Sequence, residues 1–280
     1  MLKLGGKGKS WDQLLAEIKT RDVMFKTADV PYAMQPEVVC GVDVQEIQRK
    51  VAGAIENGIC ADPLLEKLLQ LPFDAILTTN YTYGAEQILS GGRWNENARK
   101  RSFTALDGNV RVNHNSFICN AVETPNGRVI PVFHIHGEAA RKHSMILSYY
   151  SYAGALARMV AYNRKLGNDL EERQKEQKEH VCGSWLDYFV MGDVWSVGFG
   201  LDVSEFDVWW AIERKAREKA RHGRLHAFFD GAPDTQSAQK LLLEAMDAEA
   251  VYVPVKDGNY EAHYEEIIKK IENSFIGKEK

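Results

Sequence analysis

Short apolar runs that end in polar residues or glycines alternate with amphipathic stretches in the second half of the chain. Val194–Gly200 (VWSVGFG), Leu225–Asp230 (LHAFFD) and Ala250–Val255 (AVYVPV) have the length and bounded ends of buried strands. Between the first two, Ser204 to about Arg221 reads as a helix whose apolar side carries Phe206, Trp209, Trp210 and Ile212. Ser204 and Asp207 stand three apart, the spacing of a capping box. A further helix runs through Lys240–Met246, and Tyr260, Tyr264, Ile267, Ile268 and Ile271 mark an amphipathic one at the end.

The first half is more helical. Trp11–Lys19 is a short helix, and Ile47, Val51, Ile55 and Ile59 recur every four residues as an apolar stripe. Asp62-Pro63 supplies a cap and a first-turn proline to another helix, which leads into a strand at Asp74–Thr79. After an irregular stretch, Ser90–Gly127, comes a strand at Arg128–His136. The charged run Asn163–His180 reads as a solvated helix. Short strands separated by helices predict an α/β fold: a Rossmann-like parallel sheet with helices on both faces. The expected organisation is one domain over 1–280, with a helical insertion near 20–70 and an irregular one near 90–127.

Composition removes several alternatives. The 280 residues are 45% hydrophobic, enough for a sizeable core, and the net charge of −4 gives no single-sign field for nucleic acid or an anionic membrane. No apolar run approaches the ~20 residues of a membrane span, and MLKLGGKGKSW has no apolar leader core, so a cytoplasmic location is expected. Cys40, Cys60, Cys119 and Cys182 form no CxxC pair, which argues against a four-cysteine zinc site and a disulfide framework.

Three strands end in residues suited to a site: LTTN, HIHG and VGFG. In open α/β sheets ligands bind at the C-terminal strand edge. His136 stands at such an end before Gly137, where an imidazole has room for general acid–base work or, as a structural residue, for a backbone hydrogen bond. His134 shares its strand face as a candidate supporting partner, and with no third ligand evident no metal is expected. The Asn80 amide both donates and accepts, so it suits holding a water or a ribose hydroxyl, or capping a helix over Tyr81–Ser90. The N-terminal GGKGKS is not a Walker A loop, because Lys3 stands where that motif needs glycine; Gly6-Lys7-Gly8 still permits close backbone approach to a pyrophosphate before the Trp11 helix.

Taken together, ILTTNY, HIHG, VGFGLDVSEFDVWWAIERKAR, MILSYYSYAGAL (Met145–Leu156) and GKGKSWDQLL resemble, in order, the motifs of bacterial sirtuin-like domains. The resemblance implies NAD as substrate and an NAD hydrolase releasing nicotinamide and ADP-ribose in a bacterial antiphage-defence or stress setting. It implies Asn80 as the residue holding the attacking water or the ribose, and His136 as general base. Gly6, Gly8 and Ser10 would lie along the phosphates, Thr78 and Thr79 at the ribose edge, and Gly198, Gly200, Asp202 and Asp207 on the adenosine side. A homo-oligomer or a defence-system partner protein is a further expectation. Two departures favour an alternative, a degenerate nucleotide- or partner-binding protein without turnover: Thr82 replaces the aspartate that follows TTNY in the family, and the glycine loop is shortened. A lesser alternative is an NAD-dependent protein deacylase or ADP-ribosyltransferase, although the paired CxxC module of the classical deacylases is absent.

Overall fold

The structure, a computed structural model, describes residues 10–23, 29–55, 62–94, 119–175, 184–218, 223–231 and 237–276, with side chains of 165–175 outside that description. Gly6, Gly8, Ile59, Cys60 and Cys182 fall outside the described residues.

Helix α1 (Trp11–Ile18) starts at Ser10, which forms a capping box with Gln13. α2 (Gln35–Cys40) and α3 (Val44–Ala54) follow. Asp43 caps α3 by accepting the N–H groups of Gln45 and Glu46. The apolar stripe buries Ile47 and Val51 completely, against Leu14 and Leu15 of α1 and Met145 and Leu147. Each such side chain contributes roughly 1.5–3 kcal/mol. α4 (Pro63–Leu69) begins as expected from Asp62-Pro63, with Asp62 accepting from Leu64 and Leu65. It packs not with α1–α3 but with the last helix, α10 (Tyr260–Ile276), around Leu65, Ile267 and Ile271.

The described strands form two three-stranded sheets, not one parallel sheet. β1 (Ile76–Thr78) pairs in parallel with β3 (Val129–His134), placing Thr78 opposite His134. β2 (Cys119–Glu123) lies antiparallel on the other side of β3. It comes from the stretch expected to be irregular, and the turn back to β3 passes through Gly127 at φ +82°. β4 (Val194–Ser196), β5 (Leu225–Asp230) and β6 (Glu249–Val253) form the second, all-parallel sheet. An apolar slot of about 400 Å³ lies between β1 and β4. Along β3, Phe133 packs with Trp185 and Leu186, whereas Ile130 and Val132 pack with Leu65 and Ile267, as alternation along a strand requires.

α5 (Gly84–Leu89) follows β1, and α6 (Tyr149–Lys175) starts well before the charged run expected to form it. α7 (Trp185–Met191) opens on a Ser184–Asp187 capping box. α8 (Phe206–Arg217) is shorter than expected, and the Ser204–Asp207 box does not form. The Ser204 hydroxyl instead donates to Asp202, and Asp207 accepts the N–H of Val208. α9 (Ala238–Ala245) completes the helices used below.

Lys215 of α8 donates to the carbonyls of Phe189, Val190 and Gly192, the unpaired acceptors at the end of α7. Burial pulls its pKa down to about 8, against the opposing charge of Asp193. Between that value and the unfolded lysine's 10.5 the unfolded chain binds the extra proton, so stability rises with pH across this window. Urea unfolding at pH 8 and 10 is expected to show a gain of up to about 3 kcal/mol that Lys215→Met loses. Equal slopes in the two proteins would refute it.

Candidate functional site

The ends of β1, β3 and β4 converge on a cavity of about 600 Å³, within the range of small-molecule sites. Thr79, Asn80, His136, Gly198, Gly200 and Asp202 line it, and so does Ser10 from the start of α1. Trp11, Leu14, Tyr32 and Ile55 close it from the helical segment. Of these, Tyr32 and Ile55 belong to the insertion expected near 20–70, and Trp11 and Leu14 to the helix before it. Thr78 faces the apolar slot instead, where Thr79, Asn80 and Gly198 also border it. Its hydroxyl accepts the N–H of Asn80, tightening the strand exit.

Asn80 does not cap a helix; the next one begins at Gly84, after Tyr83. Its backbone carbonyl instead accepts from His134 Nδ1 at 2.6 Å, and its side-chain Oδ1 is buried with no hydrogen-bond partner. An orphan acceptor of that kind is costly unless a ligand meets it. The other nitrogen of His134 lies 2.7 Å from Glu86 Oε1, which also accepts from Asn120 at 2.8 Å. Burial lowers the His134 pKa, but the hydrogen bond and charge of Glu86 outweigh it, and the net shift is upward. Both ring nitrogens of His134 thus face oxygen atoms, the Asn80 carbonyl on one side and the Glu86 carboxylate on the other.

His136 lines the cavity and is otherwise buried. The chain can turn there because Gly137 adopts φ +88°. A Cβ at that position would sit 2.3 Å from the carbonyl oxygen of Ser144, so Gly137→Ala is expected to cost at least about 2 kcal/mol. A thermal melt unchanged from wild type would contradict this.

Two carboxylates flank the His136 imidazole. Nε2 lies 3.2 Å from Asp207 Oδ2 and 3.5 Å from Glu205 Oε2, the closer contact lacking hydrogen-bond alignment. Burial pushes the imidazole pKa down, but the charges of Asp207 and Glu205 prevail and raise it to about 9. Burial also raises the Glu205 carboxyl, with His136 and a 2.6 Å hydrogen bond from the Tyr152 hydroxyl opposing it. Asp207 stands behind His136 and does not line the cavity, unlike the ligand-facing position expected for it.

The loop from Gly198 delivers both carboxylates. Gly198 has φ +68°, and Leu201 follows at φ +48° despite its side chain. Such a residue stores roughly 1–3 kcal/mol of strain; burial of Leu201 and the turn at Asp202 hold it there. Asp202 accepts from the N–H and hydroxyl of Ser204, and its carbonyl accepts from Glu205 N–H and the Trp209 indole. Gly200 has open space where a Cβ would lie, so sterics do not require glycine there.

A family model of the SIR2-like domain matches residues 74–251, more than half of the chain, from β1 to β6. The chain belongs to the SIR2-like family. The match spans Thr78, Thr79, Asn80, His136, Gly198, Gly200, Asp202 and Asp207, whereas Gly6, Gly8 and Ser10 precede it. No curated protein matches the chain. Sequence reasoning missed Glu205 and Tyr152, although both stand inside stretches quoted for the resemblance. It also missed Glu86, which no local motif marks.

Proposed function

We propose that this SIR2-like protein hydrolyses NAD to nicotinamide and ADP-ribose. One observation carries the reading: the orphan amide oxygen of Asn80 and the carboxylate-flanked His136 belong to the wall of one cavity. The residues fit the substrate. Asp12, Asp202, Glu205 and Asp230 on the cavity wall can accept from ribose hydroxyls, and Asn80 can do so while donating to water. Among the described lining residues there is no Lys or Arg, which leaves backbone N–H groups to meet the phosphates.

In the reaction the C1′–N bond breaks and its electron pair passes to the pyridinium, which leaves as neutral nicotinamide. Positive charge grows on C1′, and the carboxylates beside His136 stabilise it across a buried, low-dielectric site. Asn80 holds the attacking water and orients the ribose. The cationic substrate entering beside the imidazolium lowers its proton affinity, returning it to the neutral base that accepts the water's proton. The reading takes 1–280 as one Rossmann-type unit, acting in a bacterial defence or stress setting.

Thr82, on the same cavity wall, supports a second reading as a nucleotide or partner binder without turnover. Incubation with NAD and chromatography for both products separates the two: nicotinamide and ADP-ribose in equal amounts are expected. Binding by calorimetry without either product would favour the silent binder. Acyl transfer or ADP-ribose on a protein acceptor would instead place it with the deacylases or transferases.

A further inference from the structure

We infer that His136, Glu205 and Asp207 form a binding site for a divalent cation of the Zn²⁺ class, and that the cation and NAD cleavage exclude each other. The binding half stands on geometry alone; the exclusion half rests on the proposed hydrolase reading.

Three donor atoms, one from each residue, lie within 4.8 Å of one another. Zn²⁺ bonds to imidazole nitrogen and carboxylate oxygen at about 2.0–2.2 Å, so neighbouring ligand atoms of a tetrahedral site stand about 3.3–3.6 Å apart. Nε2 of His136 is 3.2 Å from Asp207 and 3.5 Å from Glu205, close to those edges. A second observation points the same way. His136 is only 4% exposed, yet Nε2 has no aligned hydrogen-bond partner despite these carboxylates. A metal ion placed among the three donors gives that nitrogen a directed bond.

The surroundings resemble the outer shell of a metal site. Asp207 Oδ1 is held by the Val208 N–H, which leaves Oδ2 toward His136. Glu205 Oε2 is held by the Tyr152 hydroxyl. Outer hydrogen bonds of this kind fix ligand orientation. His136 and Glu205 border the cavity, which gives the ion an entry path and leaves a fourth position for water. One imidazole with two carboxylates suits Zn²⁺ and its Co²⁺ substitute better than Mg²⁺, which favours all-oxygen octahedra. A cation bound there occupies the Nε2 lone pair, and the imidazole can no longer accept a proton from water.

The test uses tag-free full-length protein, stripped by a chelator that is then removed. Calorimetric titration with ZnCl₂ is expected to show one equivalent bound at micromolar concentration. Asp207→Asn and Glu205→Gln, both isosteric, are each expected to weaken binding at least about tenfold. CoCl₂ should give the intense visible bands of tetrahedral coordination without a thiolate charge-transfer band. No saturable binding, binding indifferent to both substitutions, or a thiolate band would overturn the site. In a separate arm, one equivalent of Zn²⁺ is expected to stop nicotinamide release and a chelator to restore it. Undiminished release from zinc-loaded protein would overturn the exclusion. Failure of the metal-free protein to cleave NAD would count against the hydrolase reading, leaving the calorimetric and spectral arms to decide the site.

Discussion

His136→Ala is expected to lower the rate of nicotinamide release by about 10²–10⁴-fold, the usual contribution of a positioned general base. The imidazole lines the cavity with two carboxylates beside it that stabilise its charged form. Its loss also leaves Asp207 and Glu205 facing each other without the cation between them. Part of that repulsion is relieved when Glu205, already raised by burial, takes up a proton. The variant should therefore stay folded, and its melting curve should be recorded beside the rate. A folded variant that cleaves NAD as fast as wild type would remove His136 from the mechanism. His136→Gln separates proton transfer from simple loss of volume: it fills the space, and its rate should remain within about tenfold of the alanine variant.

The parts of this site that were legible from sequence are those with strong local constraints. Apolar strands that stop abruptly at TTN, HG and GFG announce themselves, because a buried strand has little reason to end in hydroxyls and an amide. The helix start at Asp62 was legible for the same reason, since capping chemistry is local. What escaped depended on distant pairing. β2 has an ordinary strand composition, and only its alignment with β3 makes it a strand. The expected single parallel sheet was half right: β1 with β3 and β4–β6 are parallel, but β2 is antiparallel and β1 does not pair with β4. Asp207 was legible as an acid after the last glycine loop. Its role behind His136 was not, because a one-dimensional pattern cannot distinguish facing a ligand from facing another side chain. Glu205 escaped for the same reason.

Glu86→Ala is expected to cost about 3–5 kcal/mol, the largest stability loss among these substitutions, because it removes the partner that buried His134 and Asn120 share. Glu86 is fully buried and meets both His134 and Asn120. His134 in turn holds the carbonyl of Asn80, with Tyr83 packed edge-on against the ring at 5.4 Å. The chain of contacts therefore runs from α5, through β3, to the strand exit that opens the site. Without the carboxylate, a neutral His134 ring can still donate to the Asn80 carbonyl, which limits the cost, but the Asn120 amide loses its acceptor. Glu86→Gln distinguishes the electrostatic part from the steric part. It retains the volume and an acceptor for His134, so its stability loss should be less than half that of alanine. Its effect on catalysis should still be visible as a lower kcat with KM nearly unchanged, since Asn80 would be held less firmly while the cavity stays intact. Urea unfolding of the three proteins, with kinetics on those that fold, decides the matter. Equal stability of wild type and Glu86→Ala would mean that the His134–Glu86 contact does not hold the Asn80 strand exit in place.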